Sequence, residues 1–154
     1  MEEMLLNLGP AKGKDFATAI GPWLLTLDDL EEFVVPCKEN HTGKNWNLQM
    51  QCWVNDKQVS DGNLGDMDWT FAEIIERASY GVDLYPGDVI GSGTVGTGCF
   101  LELNGTGKLN DSNYAEQWLQ AGDIVEMEID GLGKLSNTIV AEESDWSILR
   151  LKKN

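Results

Sequence analysis

The chain has 154 residues, 42% of them apolar, and carries 17 Gly and six Trp, enough for one domain with one core and many turns. Its formal net charge of −15 repels phosphate backbones and anionic bilayers, so the composition excludes nucleic-acid and membrane-surface binding and fits a cytoplasmic protein. Cys37, Cys52 and Cys99 are odd in number and far apart, which predicts free thiols rather than a disulfide or zinc framework. The start has no signal-peptide pattern, and no apolar run is long enough to span a bilayer.

Residues 1–26 lack periodicity and are punctuated by Gly9-Pro10, Gly13 and Gly21-Pro22, which reads as loop. The acidic run 28–32 reads as an exposed turn or short helix. From Trp46 to Val54, apolar Trp46, Leu48, Met50, Cys52 and Val54 alternate with mostly polar residues, the period of a half-buried strand. Asn55-Asp56 then turns it into a second strand over 57–60, a hairpin. Thr70 and Glu73 have capping-box spacing, and Phe71, Ile74, Ile75 and Ala78 form one apolar stripe, so a helix starts after Thr70. Trp69 can staple onto Ile74, and Gly81 is placed to end the helix in a left-handed conformation.

The run Tyr85-Pro86-Gly87-Asp88-Val89-Ile90 echoes Gln120-Ala121-Gly122-Asp123-Ile124-Val125, each reading as a turn whose Asp leads into a strand. Strands are predicted at 88–91, 99–103, 123–129 and 134–140, with 104–117 a polar, Gly/Asn-rich loop. The expected architecture is α+β, mainly β, with one principal helix. No linker divides the chain, so residues 1–154 read as one domain.

Three segments could carry chemistry. Lys14 lies in Gly13-Lys14-Asp15-Phe16-Ala17-Thr18, where a point charge in an irregular stretch can meet a carboxylate or a metal-bound oxygen. Thr18 adds a hydroxyl, and the plain alternative is a surface loop. In Gly91-Ser92-Gly93-Thr94-Val95-Gly96-Thr97-Gly98, four glycines allow backbone N–H groups close to an anion, and Thr94 adds a donor. The plain alternative there is a flexible connection. Glu102 sits in an apolar run and could serve as a general base or simply face solvent. Glu126 and Glu128 share a strand face that reads as solvated. His41 stands in a polar loop with no partner acid nearby, and reads as exposed and non-catalytic.

Together these segments resemble the fumarylacetoacetate hydrolase family. The similarity runs through Gly9 to Leu24, Ser60-Asp61-Gly62-Asn63, Leu84-Tyr85-Pro86-Gly87-Asp88-Val89-Ile90, Gly91-Ser92-Gly93-Thr94 and the stretch 123–137, in the family's order over nearly the whole chain. The resemblance implies a mixed β-sheet roll or partial barrel and a homodimer. It also implies Mg²⁺ (Mn²⁺ or Ca²⁺ in some members) and action on 2,4-dioxo or 2-oxo acids by carbon–carbon hydrolysis, decarboxylation or isomerisation. On that resemblance Lys14 is the site lysine beside metal and substrate, Thr18 lies in the metal's neighbourhood, and Thr94, with Gly93 beside it, binds the substrate carboxylate. Glu102 resembles the acid that orients water. The family's Glu-x-Glu pair and metal Asp come before the lysine segment, as does the hydrolases' catalytic His. Thirteen residues precede Lys14 here, and Glu2 and Glu3 are adjacent rather than alternating. The expectation is therefore a C-terminal catalytic part, truncated on its N-terminal side, with no complete metal cradle of its own. It would act with a complementing N-terminal half, or persist as a self-associating module without catalysis.

Overall fold

The structure is a computed structural model that describes residues 18–141 and 143. A 3₁₀ turn, Asp28–Phe33, leads into a short antiparallel pair, β1 (Val34–Pro36) and β2 (Lys44–Trp46). Then come β3 (Gln49–Val54), β4 (Lys57–Asn63), a 3₁₀ turn at Leu64–Asp66, α1 (Phe71–Ala78), α2 (Phe100–Asn110), β5 (Ile124–Ile129) and β6 (Gly133–Thr138). The last four strands form one antiparallel sheet in the order β4-β3-β5-β6. The class is α+β, mainly β, and no barrel closes among the described residues.

The alternating run from Trp46 does not make one strand. Trp46 pairs with Val34 in the small sheet, and the Asn47 amide donates to the Phe33 carbonyl at 2.8 Å, so β3 starts only at Gln49. Trp46 and Leu48, flanking that break, are the buried hydrophobic side chains among the described residues. The hairpin is as predicted and longer. Asn55 (φ 50°) and Asp56 (φ 63°) both adopt the left-handed conformation that a tight two-residue turn requires. Asn55 also exchanges side-chain hydrogen bonds with Asp123 and the Ile124 amide, which ties the turn to the start of β5.

Register decides the faces. Met50, Cys52 and Val54 lie opposite Ile129, Met127 and Val125, and Met127 lies opposite Leu135. One face of the sheet is therefore apolar across three strands. No member of that set is fully buried, and Met127 is 39% exposed.

The two echoing turns are built alike. Tyr85 N donates to Asp88 Oδ2 at 2.9 Å and Gln120 N to Asp123 Oδ2 at 2.7 Å, with Gly87 and Gly122 left-handed in each. Only the second opens a strand. Ile124–Ile129 has β3 beside it to complete its ladder, whereas 88–91 has no partner and forms no strand, and Val89 is 85% exposed.

The predicted strand over 99–103 and loop over 104–117 are replaced by helix α2 and the turn that follows. Gly105 and Gly107 make the segment a poor helix former by propensity. Tertiary contacts override that. Buried Asn104 donates to the Gln117 carbonyl at 2.8 Å and accepts from the Gln117 amide at 2.9 Å. A Cβ on Gly107 would lie 2.5 Å from the Tyr114 ring, so the glycine is what admits that ring.

Helix α1 starts as predicted. Thr70 Oγ1 accepts from the Glu73 amide, and the Glu73 carboxylate accepts from the Thr70 amide at 2.9 Å, a complete capping box. Gly81 takes φ +75° two residues past the C-cap Ser79. Trp69 turns its ring edge-on to His41 at 5.0 Å and shares a shallow cleft with Ile74. Removing an N-cap hydroxyl costs about 1 kcal/mol, up to about 2. Thr70 also donates to the Thr42 carbonyl, so Thr70→Ala is expected at the upper end of that range in urea unfolding, with Thr70→Ser recovering most of the loss.

Candidate functional site

Strand alternation puts Ser60 and Gly62 on the same face of β4 as Met50 and Cys52 carry on β3. The glycine-rich segment 91–98 docks there. A Cβ on Gly62 would lie 2.5 Å from Val95 Cγ2, so only glycine admits Val95 against the strand. Two residues on, the Ser60 and Thr97 hydroxyls meet at 3.0 Å. The docked segment, with Gly93 at φ +93°, closes one side of an open cleft of about 170 Å³ lined by Met50, Asn63, Asp66, Met67, Gly93 and Thr94. Asn63 shapes the opposite wall by accepting from the Gly65 amide and donating to Asn47 Oδ1, both at 2.8 Å. The cleft thus combines two hydroxyls, of Ser92 and Thr94, with glycine backbone on one wall, two thioethers, and a single carboxylate, Asp66.

Of the sequence-predicted residues, Gly93 and Thr94 line this cleft, and Thr18 and Glu102 do not. Thr18 is exposed in the irregular segment before the first 3₁₀ turn. Lys14 lies outside the described residues. Glu102 belongs to the first turn of α2 rather than to a strand, and both its oxygens accept from the Thr97 amide, at 3.0 and 3.1 Å. Glu126 pairs with Lys134 at 2.9 Å, and the Lys134 ammonium lies over the Trp53 ring, so the Glu126/Glu128 face is a solvated, charge-paired one. Among the described residues no three His, Cys, Asp or Glu side chains converge in a way that could hold a metal ion.

A family model described as the C-terminal part of fumarylacetoacetate hydrolase matches residues 1–140. The chain belongs to the fumarylacetoacetate hydrolase family. Fumarylacetoacetase of Oryza sativa subsp. japonica is 28% identical over 147 residues, 78% of this chain and 34% of that protein. A 2,4-didehydro-3-deoxy-L-rhamnonate hydrolase from a Sphingomonas species is 32% identical over 135 residues, covering 88% of this chain and 38% of that one. In structure the chain is similar to a maleylpyruvate hydrolase from a Sphingobium species, with TM-score 0.53 and 24% identity over 78% of this chain and 34% of the other, a likeness of fold. The chain therefore spans about a third of the length of the relatives it matches.

Within this family member, His41 corrects the sequence reading. It is not alone: its Nδ1 lies 3.0 and 3.2 Å from the two Glu73 oxygens, and the side chain is largely covered. With hydrogen on Nδ1, His41 donates to Glu73, which also accepts from the amides of Thr70 and Thr42. The partner acid is 32 residues away in sequence, so local inspection could not find it. The Thr70 amide, chiefly, with His41 and Thr42 added, holds the Glu73 carboxyl down at about 2, against burial that pushes it up. The cluster clamps the 40–43 loop onto the start of α1.

A carboxyl depressed in the fold binds fewer protons folded than unfolded between its two pKa values. The stability from Glu73 is therefore complete above pH 4.5 and is lost as the pH falls from there towards 2. Urea unfolding of the wild type and of Glu73→Gln across pH 7 to 2.5 is expected to show a flatter acid limb in the variant, with the two curves converging at the acid end.

Proposed function

We propose that this chain supplies the substrate wall of a metal-dependent enzyme that hydrolyses or lyses a carbon–carbon bond in 2,4-dioxo or 2-oxo acids, an acylpyruvase-like activity. One observation carries the reading: in a member of this family, the glycine-rich segment brings Thr94 to the edge of a cleft instead of leaving it on a free hairpin. Relatives of known activity cleave substrates of that kind by their names, fumarylacetoacetase among them.

In this reading the Thr94 hydroxyl and the backbone beside Gly93 hold the substrate carboxylate, as N–H and O–H donors suit an anion. Lys14 adds positive charge near the 2-oxo group. Glu102 orients the water whose hydroxyl adds to the acyl carbon, while the carbon released from the broken bond takes up a proton. The family's Mg²⁺, or Mn²⁺ or Ca²⁺, needs several oxygen anions, and the described residues do not assemble them. Those ligands are assigned to a complementing N-terminal half. The setting proposed is cytoplasmic; no helix of the described residues is long and apolar enough to cross a membrane.

The test mixes the chain with Mg²⁺ and an acylpyruvate, with and without an N-terminal half that carries the Glu-x-Glu and Asp ligands, and follows loss of the dioxo absorbance. Turnover is expected in the mixture. Thr94→Val should raise KM at least tenfold, the loss of about 1.5–3 kcal/mol for a hydrogen bond to a charged group. No turnover in any combination sinks the proposal.

A second reading, a self-associating module without catalysis, is favoured by the half-bare apolar face of Met50, Val125, Met127, Ile129 and Leu135. Sedimentation of the isolated chain distinguishes the two. A stable dimer with no Mg²⁺-dependent oxalate binding supports the module, and a monomer at high micromolar concentration excludes it.

A further inference from the structure

Four non-glycine residues among those described have positive φ: Asn40, Asn55, Asp56 and Thr97. Asn and Asp tolerate the left-handed region because their short side chains bond locally. Thr97, at φ +69°, is β-branched and is the one such residue with no local licence. Its neighbours, Gly96 and Gly98, show that glycine is freely used in this segment.

The hydroxyl gives a physical reason for threonine. Thr97 Oγ1 lies 3.0 Å from Ser60 Oγ and accepts from the Asp61 amide at 3.3 Å, both on β4. Its own amide, aimed outward by the left-handed backbone, donates to the Glu102 carboxylate at 3.0 and 3.1 Å. Elsewhere the segment meets β4 where Val95 and the Gly96 carbonyl lie over Gly62, and it folds on itself where the Gly98 amide donates to the Val95 carbonyl at 2.9 Å.

We propose that Thr97 is a positioning residue: its hydroxyl fastens the Gly93–Thr94 segment to β4, and its amide, turned by the same left-handed backbone, orients the Glu102 carboxylate. One residue thereby sets the relative placement of the carboxylate-binding donor and the acid assigned to water. The catalytic half of this inference rests on the functional reading above. The mechanical half does not.

The test compares Thr97→Ser, Thr97→Val and Thr97→Gly with the wild type. The first measurement is amide hydrogen exchange by NMR, which needs no turnover. Thr97→Val and Thr97→Gly are expected to speed exchange at the hydrogen-bonded amides of residues 97 and 98 at least tenfold, while amides of α1 stay at wild-type rates and report an intact fold. Thr97→Ser should match the wild type, and Glu102→Ala should speed exchange at the residue 97 amide alone. The second measurement is kinetics in the Mg²⁺-supplemented assembly with the N-terminal half. Thr97→Val should lower kcat and raise KM together, whereas Thr94→Val raises KM with kcat nearly unchanged, and Thr97→Ser restores both parameters. Wild-type exchange rates in Thr97→Val overturn the proposal, as does unchanged kcat alongside loosened exchange. If the wild type shows no turnover, the functional reading fails on its own, and the fastening is judged by exchange.

Discussion

Strand β4 meets the glycine-rich segment through two side chains of opposite character, the absent one of Gly62 and the hydroxyl of Ser60. The first lets Val95 reach the strand, and the second meets Thr97. Everything the cleft offers depends on this contact. Without it, Thr94 would sit on a glycine-rich tether. A tether of that kind samples many conformations, and holding one of them for a ligand would cost conformational entropy at each binding event. Docking supplies that order in advance.

The docking in turn depends on register. Pairing of Met50 with Gly62 and Cys52 with Ser60 places both contact residues on the apolar face of the sheet. A slip by one residue would turn Asp61 towards the segment and Gly62 away. Left-handed Asn55 and Asp56 set Val54 opposite Lys57 and Trp53 opposite Gln58, and a bulge at Val59 then shifts the ladder by one, so that Cys52 meets Ser60 and Met50 meets Gly62. Asn55 also ties the turn to β5 through Asp123 and Ile124. Turn and bulge together thus set the cleft at the other end of the sheet.

Among the described residues the same sheet face is only half covered. Stability scales with apolar surface withdrawn from water. Here the buried hydrophobic side chains among the described residues are Trp46 and Leu48, while the three-strand apolar face remains partly open. The chain matches about a third of the length of its relatives, and it lacks a metal cradle among its described residues. In the proposed enzymatic reading, another polypeptide would cover this surface and supply the metal ligands.

Local signals in the sequence determined the hairpin at Asn55-Asp56, the capped start of α1, strand β5 with its apolar and acidic alternation, and the family, whose motifs are short and ordered along the chain. They also singled out Gly93 and Thr94. These features are decided within a few residues, by backbone sterics, capping geometry and side-chain period. Tertiary structure alone decided the rest. Residues 88–91 and 124–129 follow equivalent turns, yet only the second found a strand to pair with. Residues 100–110 became a helix against their propensity, because Asn104 met Gln117 and Gly107 met Tyr114. His41 acquired Glu73 across 32 positions, and Glu102 acquired the Thr97 amide only because a left-handed backbone turned that amide towards it. In each case the deciding partner is remote in sequence or hidden in a backbone angle, and neither is written in residue order.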